Sequence, residues 1–274
     1  MATRPQRPPI STRHAFALAF DLAVRRDPLQ SLVVPLLLRS PWVVAVARVP
    51  NPESASRRDV ALLAFVLFGQ SVLWLAVDAM QRFRARSVFN TPAGSRPMPA
   101  LACYRIGLPR LPWLYVTEVV RSVALAFAFS FLVLPGIFLG CRLAFATEAV
   151  VLDEANLAAA FARSWKLSEG RLERWLEMSV ASVMIVIGAS FVAAALSLAL
   201  DALHLPGRSF GFLFIVAVVP VIQYAWTFFY LRLDETDRMM LAAGTNGGDG
   251  AAAAPLTGEG RLHELPSEEP RRQA

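Results

Sequence analysis

Apolar residues occur along this chain in long blocks that short polar segments separate. Most blocks approach the length of about 20 residues that a helix needs to cross a hydrocarbon core about 30 Å thick. Because backbone polar groups in lipid must be satisfied within the protein, each block predicts a helix. The pattern therefore predicts an all-α polytopic membrane bundle. The clear blocks are residues 61–77, 119–134, 178–200 and 210–231, and the weaker ones are residues 29–49 and 137–152.

Two further segments have the periodicity of amphipathic helices and predict helices in the plane of the membrane interface. The first covers residues 14–24 and the second residues 156–169, where Asn156 can cap the start and Gly170 the end. The predicted apolar face of the first is formed by Phe16, Phe20 and Ala23, and that of the second by Leu157, Phe161, Ser164 and Trp165.

The remaining polar segments divide the chain into three parts. Residues 1–28 form a polar leader with the first interfacial helix, residues 29–240 the membrane bundle, and residues 241–274 a tail too poor in apolar residues to fold. Inside the bundle, the second span is expected to end at Asp78 and to be followed by a basic loop over residues 81–112. The first block, interrupted at Arg39-Ser40-Pro41, is interpreted as a retained anchor rather than a cleaved signal peptide, because about 28 residues precede it.

The region 119–152 decides how often the chain crosses the membrane. A straight helix of this length would extend about 51 Å at 1.5 Å per residue, which tilt cannot absorb. Pro135 and Gly136 near its middle form a turn signal. We therefore predict a hairpin of two short helices, spanning or re-entrant, which gives about six segments, with five as the alternative.

The distribution of basic residues favours the hairpin. With it, 17 basic residues lie on one side of the membrane and four on the other; without it, the two sides carry 12 and nine. Since basic residues concentrate on the cytoplasmic side, the sequence predicts six segments with both termini in the cytoplasm.

Composition narrows the function classes. The net charge of +6 and the isoelectric point near 10 come from arginines between the apolar blocks, so they predict membrane orientation and no nucleic-acid partner. Only Lys166 among the 27 basic residues is lysine, and alanine is abundant, a bias typical of GC-rich bacterial genomes. We therefore expect the inner membrane of a bacterium.

Motifs for catalysis or cofactors are not found in the sequence. The two cysteines, Cys103 and Cys141, and the three scattered histidines predict neither a disulfide framework nor a zinc site. There is no Gly-rich phosphate loop, nucleophile elbow, H-E-x-x-H or C-x-x-C. We predict no catalytic residue, no cofactor, no metal and no enzyme.

Polar residues within the apolar blocks are candidates for a functional site. Arg39, Gln70 and Gln223 are predicted intramembrane polar residues, which more often bond neighbouring helices than line a transport path. Pro220 could bend the last span near Gln223. For Arg121, the spacing predicts an ion pair with Glu118.

Arg142 is the main candidate for contact with a lipid headgroup or an anionic substrate. An arginine in mid-bilayer costs about 2.5–3.5 kcal/mol on insertion scales, and the alternative is that its side chain snorkels to the interface. Its predicted helix also carries Thr147 and Glu148. On the second amphipathic segment, the further candidates for lipid or anion contact are Arg163, Trp165 and Lys166.

One set of residues resembles a known family. The family pattern is a Leu-Pro-Gly-Ile turn, an arginine a few residues later, an acidic residue and an Arg-Ser-Trp-x-Leu-x-x-Gly helix. Over residues 115–235 the chain is similar to bacterial multi-pass membrane domains that include the membrane domain of glycerophosphoryl diester phosphodiesterases. The resemblance implies the membrane module and its hairpin, and no phosphodiesterase barrel. The positions that carry it are Pro135, Gly136, Ile137, Arg142, Glu154, Arg163, Ser164, Trp165, Leu167 and Gly170.

Three function classes remain open at this point. The leading expectation is a non-catalytic scaffold or lipid-interacting protein of the cell envelope, whose partners are membrane lipids and a further membrane protein. The second is a transporter or permease subunit with a polar path near Arg142 and Gln223, which would need a polar cavity reaching the bilayer midplane. The third is a membrane-embedded lipid-modifying enzyme, which would need a convergent cluster of ionisable groups.

Overall fold

The computed structural model describes residues 11–47, 56–91, 96–204 and 207–245, and within them the protein is helical with no strand. This confirms the predicted all-α class. Two π-helical segments, Asp21–Arg26 and Leu29–Val33, follow the first helix, and a short 3-10 turn, Leu108–Arg110, precedes α5. The α-helices are α1 Thr12–Phe20, α2 Val34–Ala47, α3 Arg57–Asn90, α4 Ala100–Gly107, α5 Leu111–Phe131, α6 Val133–Leu143, α7 Ala146–Leu152, α8 Leu157–Ser168, α9 Leu172–Ala202 and α10 Gly207–Thr245.

Several of these helices begin at side chains that cap their free backbone N–H groups. The Asn156 side chain accepts a hydrogen bond from Ala159 N at 2.9 Å and starts α8 as predicted. Gly170 follows α8 with a φ of +67°, the left-handed conformation that ends helices at glycine. At α3, Ser56 and Asp59 form a reciprocal capping box.

Five helical segments in the described ranges are long and apolar enough to cross a membrane: Arg57–Asn90, Ala100–Phe131, Val133–Leu152, Leu172–Ala202 and Ser209–Met239. Their outer surfaces expose large apolar side chains such as Phe65, Phe127 and Phe191, each more than 60% exposed. Exposing this much apolar surface to water would be unfavourable, whereas lipid chains can cover it. The protein is therefore a membrane-embedded helix bundle.

The first predicted segment along the chain, residues 29–49, is shorter in the structure than a full membrane span. Its described part is the π-helical Leu29–Val33 and the 14-residue α2, and residues 48 and 49 lie outside the described ranges. The predicted break at Pro41 is wrong, because α2 continues through it. Pro41 cannot donate to the carbonyl of Leu37, and the Ser40 hydroxyl donates to that carbonyl instead, at 2.8 Å.

α2 runs antiparallel to α3. The Gln30 side chain near its start accepts from Arg84, Arg39 in its middle pairs with Asp78, and Gln70 of α3 donates to the Leu38 carbonyl at 3.5 Å. α2 thus enters the bundle from the end that holds Arg84.

The predicted basic loop over residues 81–112 is also wrong for most of its length, because α3 occupies its start and α4, the 3-10 turn and α5 occupy residues 100–112. α3 does not end near Asp78 but continues to Asn90, and Gln81, Arg82 and Arg84 are buried. A run rich in arginine suggests a solvated loop only when its charges have no partners, and here partners come from distant segments. Arg84 contacts Asp27 at 2.9 Å, for example.

The predicted hairpin is confirmed, with its turn three residues before Pro135. α5 ends at Phe131, Leu132 is extended, and Pro135 sits in the first turn of α6, where its missing N–H costs nothing. The two helices pack so closely that a Cβ on Gly136 would lie 2.3 Å from the Phe129 ring. Gly140 faces Leu125 one turn further along.

The α9–α10 hairpin uses the same device. A Cβ on Gly211 would lie 2.1 Å from the Ser197 Oγ atom and 2.8 Å from the Ala193 carbonyl oxygen. Ser197 also donates to the Gly207 carbonyl across the turn. Small residues thus allow the two long helices to approach backbone to backbone.

The apolar faces of the two amphipathic helices agree with the prediction only in part; in the first, Ala23 is buried and Phe16 packs against the core as predicted. In α1 and the turn after it, Ala15, Ala19, Leu22 and Ala23 are buried and Phe20 is half exposed. α1 packs on α10 and α9, where small residues permit close contact between helices.

In α8, Ser164 is buried as predicted, while Trp165 is 44% exposed. Ser164 faces inward because it bridges the interruption between α6 and α7. Its hydroxyl donates to the Arg142 carbonyl at 2.7 Å and accepts from Phe145 N at 3.0 Å.

Four segments that the charge distribution placed on one side come together at one end of the bundle, called here the basic end. They are the leader helix with Asp27, the α3–α5 connection, the segment around α8, and the last part of α10. Arg86 and Arg110 donate to the carbonyls of Leu152 and Val151, and Arg163 pairs with Asp153 at 2.7 Å. The α10 helix extends to Thr245; the predicted leader residues 1–10 and the tail from 246 lie outside the described residues.

Candidate functional site: a charged cavity between the helices

A cavity of about 830 Å³ lies between α3, the α5–α6 hairpin, α7, α9 and α10. Its walls are of two kinds. One part, called here the apolar region, is formed by Val123, Leu125, Phe129 and Ile137. The other, the charged region, is formed by Asp78, Arg82, Glu118, Arg121 and Glu148.

Arg82 is at the centre of the charged region. Its Nε donates to Glu148 at 3.3 Å and its Nη2 to Thr147 at 3.2 Å. With the Gln223 amide oxygen turned toward Arg82, that oxygen accepts from Nη2 at 3.1 Å. Arg82 and Glu148 are each at most 5% exposed, so the pair is held in a low-dielectric interior where a lone charge would be very unfavourable.

The second pair joins Arg39 of α2 to Asp78 of α3. Arg39 is fully buried and its guanidinium lies 4.2 Å from the centre of the Trp74 ring. Asp78 lines the cavity, whereas Arg39 stands behind it. The Asp78 carboxylate thus faces the cavity, and Arg39 on the side away from the cavity neutralises its charge.

The third pair is Arg121 and Glu118, whose nitrogen and oxygen are 2.6 Å apart, as their i,i+3 spacing predicts. Both side chains are about three-quarters buried and both line the cavity. Three carboxylates and three guanidinium groups therefore meet in and around the charged region, so its net charge is zero.

Gln70 and Gln223, both predicted as intramembrane polar residues, take different roles. Gln223 lines the cavity, while Gln70 bonds α3 to α2 through the Leu38 carbonyl. The cavity brings Gln223 together with Arg82 and Glu148, which the sequence did not associate.

Arg142 does not line the cavity. Its guanidinium lies beside two half-exposed rings that contact each other, 5.0 Å from the centre of Phe138 and 4.9 Å from that of Trp165, and it donates to the Trp165 carbonyl at 3.3 Å. The polar path predicted near both Arg142 and Gln223 is therefore not continuous in this structure. Arg142 and Trp165 form a separate patch on the surface of α6 and α8.

Arg163 and Lys166, the other candidates for lipid or anion contact, are paired within the protein at the basic end. Arg163 contacts Asp153 and Asp234 and donates to the Tyr230 hydroxyl. Burial alone would lower the pKa of Arg163, but these neighbours hold that pKa above its ordinary value. Lys166 lies 3.8 Å from Asp237.

Sequence reasoning missed Asp78, Arg82 and Glu148 as site residues. One signal was available: Asp78 and Arg82 are four residues apart, which places both on one face of a helix. Their connection to Glu148 spans 66 residues and depends on tertiary packing. Across the described ranges, no group of three or more His, Cys, Asp or Glu side chains is arranged to hold a metal ion.

Residues 105–233, just under half of the chain, match a domain family of unknown function, DUF7847. The matched region includes Glu118, Arg121, Glu148 and Gln223, and begins after Asp78 and Arg82. No curated protein and no solved structure matched the chain significantly. The predicted link to the membrane domain of phosphodiesterases stays a prediction.

Proposed function

We propose that this protein is a lipid-binding protein of the bacterial inner membrane, and that it holds part of a membrane lipid in the cavity. The observation that carries the proposal is the cavity's division into a charged and an apolar region. An amphiphile has the same division, with a polar headgroup joined to acyl chains.

The position of the cavity supports this occupant. Asp78 and Arg82 stand where the apolar stretch of α3 meets its polar end, whereas Leu125 and Phe129 of α5 lie further along, toward the turn of the α5–α6 hairpin. A lipid would thus place its headgroup near the level of the interface and its chains in the hydrocarbon. The volume is within the range of about 300–1,000 Å³ typical of small-ligand sites, so we assign to it the headgroup and the upper acyl chain only.

The charge pattern favours binding over catalysis. A general acid or base needs a carboxylate free to exchange a proton, and Asp78, Glu118 and Glu148 are each held by an arginine. The concentration of basic residues at the basic end supports a cytoplasmic location for that end and for both termini.

Lipid retention by cavity-filling variants tests the proposal. Gly140 lines the cavity in α6, and a Cβ there makes only ordinary contacts, so Gly140→Phe can fold and occupy the space. Gly188, in α9, has nothing within 4 Å of its Cβ position and lies outside the cavity, so Gly188→Phe is the matched control. The proteins are purified in detergent, washed to remove loosely associated lipid, and analysed by native mass spectrometry.

We expect the wild type and Gly188→Phe to retain bound phospholipid and Gly140→Phe to lose most of it. Equal retention by the three proteins would overturn the proposal, because the bound lipid would then lie outside the cavity.

A lipid carrier is the second candidate, and Gln223 is the observation that favours it. This residue brings a polar group from the apolar stretch of α10 into the cavity wall, three residues after Pro220, which leaves the helix ladder open. Reconstitution into vesicles with headgroup-labelled lipid decides between the two. A carrier accelerates the exchange of labelled lipid between leaflets when the vesicles contain the wild type and not when they contain Gly140→Phe. A protein that only holds the lipid accelerates this exchange in neither case.

A further inference from the structure

We infer that the lipid bound in the cavity has a zwitterionic headgroup that carries both a phosphate and an amine. This inference rests on the proposed function and specifies the class of lipid. It follows from the charges of the cavity wall, from the donors that have no partner, and from the carboxylate oxygens that remain free.

The balance of charge excludes a headgroup of one sign. The wall presents three carboxylates and two guanidinium groups, with Arg39 behind Asp78 as the third. An anionic headgroup would stand beside carboxylates without a cation of its own, and a purely cationic one would stand beside Arg82 and Arg121. A headgroup with both signs places each charge next to its opposite.

The buried polar atoms of the cavity wall that lack a partner within the described residues are all donors. They are Arg82 Nη1, Arg121 Nε and Trp175 Nε1. Arg82 is buried, so its free Nη1 is an unfavourable feature unless a ligand satisfies it. Phosphate oxygens are the acceptors that arginine binds best.

The carboxylates offer the complementary acceptors. In the described structure Arg39 binds Oδ1 of Asp78, and Arg121 binds Oε1 of Glu118. The second oxygen of each group is available to an ammonium, which donates up to three hydrogen bonds. The cavity therefore contains a place for a phosphate beside Arg82 and a place for an amine beside Glu118.

Competition between two phospholipids with identical acyl chains tests the inference. The probes are phosphatidylethanolamine, which carries phosphate and amine, and phosphatidylglycerol, which carries phosphate alone. Each is titrated into delipidated full-length protein in detergent, and binding is measured by native mass spectrometry. We expect the wild type to prefer phosphatidylethanolamine by about tenfold, which corresponds to about 1.4 kcal/mol.

Two variants of one ion pair are expected to shift this ratio in opposite directions. Glu118→Gln removes a partner of the amine and leaves Arg121 unbalanced, so the preference for phosphatidylethanolamine falls toward one. Arg121→Gln frees Glu118 for the amine and removes a phosphate donor, so the preference rises. Glu177→Gln is the control, because Glu177 forms the same kind of i,i+3 pair with Arg174 outside the cavity.

The outcomes separate the two proposals. If both lipids bind equally to the wild type and neither cavity variant changes the ratio, the zwitterionic headgroup is wrong while lipid binding stands. If neither lipid binds more tightly to the wild type than to Gly140→Phe, the lipid site itself is wrong. Each of the variants Glu118→Gln and Arg121→Gln is expected to change the binding ratio of the two lipids. If one of them fails to fold, the other still tests the inference.

Discussion

For single residues, the arginines within the bundle show how buried charge is accommodated in this protein. Arg39, Arg82 and Arg84 are almost fully buried, and each contacts a carboxylate on another segment: Asp78, Glu148 and Asp27. Snorkelling would need a path to the interface, which a buried side chain lacks. Pairing across helices replaces it, so these residues join the helices together.

Removing one member of the central pair is expected to destabilise the protein strongly. Arg82→Met leaves Glu148 buried without its arginine, at a cost of about 3–5 kcal/mol in the free energy of unfolding. The double variant with Glu148→Met recovers part of that loss, because no unpaired charge remains. Unfolding in detergent measures both.

The control for this pair is Arg174→Met. The Arg174–Glu177 pair has both side chains about half exposed, and we expect a change of about 0–1 kcal/mol. The interpretation fails if Arg82→Met costs no more than Arg174→Met.

The Ser164 hydroxyl supplies hydrogen bonds to backbone groups at the interruption between α6 and α7. Ser164→Ala leaves the Phe145 N–H and the Arg142 carbonyl without this partner in a buried location, so we expect a loss of about 1–3 kcal/mol. Ser190→Ala, whose exposed hydroxyl donates to the Val186 carbonyl of its own helix, should change stability by no more than about 0.5 kcal/mol. Equal effects of the two substitutions on the unfolding midpoint would contradict this role.

At the scale of elements, one helix combines two functions. α3 has 34 residues and is about 51 Å long. Its first part is apolar and largely exposed, as a lipid-facing helix is, whereas residues 79–85 are buried in the basic end. The same helix thus crosses the membrane and supplies Asp78 and Arg82 to the cavity.

Glycines decide how closely the long helices approach. Gly211→Ala should destabilise the α9–α10 hairpin by about 1–3 kcal/mol, because its Cβ would meet the Ala193 carbonyl oxygen at 2.8 Å. Gly188→Ala, on a face with nothing within 4 Å, should stabilise α9 by up to about 1 kcal/mol through helix propensity. The opposite signs of the two shifts in unfolding midpoint are the test, and shifts of the same sign would refute it.

For the whole molecule, the alternation of helices and the contacts at the basic end predict one threading through the membrane. Single cysteines introduced into a variant without Cys103 and Cys141 can test it by labelling with a membrane-impermeant reagent. Thr91→Cys and Glu169→Cys lie at the basic end, and Arg57→Cys and His204→Cys at the opposite end, all at exposed positions.

In intact cells we expect labelling of the Arg57→Cys and His204→Cys variants only. The Thr91→Cys and Glu169→Cys variants should react after the membrane is opened, because we propose that their end faces the cytoplasm. Labelling of Glu169→Cys and His204→Cys from the same side would contradict the threading of α9.

Much of this architecture follows from the sequence, because its causes are local. The apolar blocks, the N-cap at Asn156, the hairpin signalled by Pro135 and the Glu118–Arg121 pair all depend on residues close together in the chain. The length of α3 was missed because its arginines suggested a loop, and their partners lie as far away as Glu148 and Asp27. The exposure of Trp165 in α8 was missed as well, because its neighbours Arg142 and Phe138 belong to another helix, α6.

The all-helical membrane bundle could be predicted from the chain alone, since each apolar block must form a long helix to satisfy its own backbone groups in lipid. The distribution of basic residues along the chain also predicted which polar segments lie on the same side of the membrane, because such residues concentrate on the cytoplasmic side. The packing of the helices was needed to establish that Gln223 rather than Arg142 lines a cavity, and that Arg82 and Glu148 meet there. Burying a charge requires an opposite charge within a few ångströms, and which distant residue provides it depends on how the helices pack.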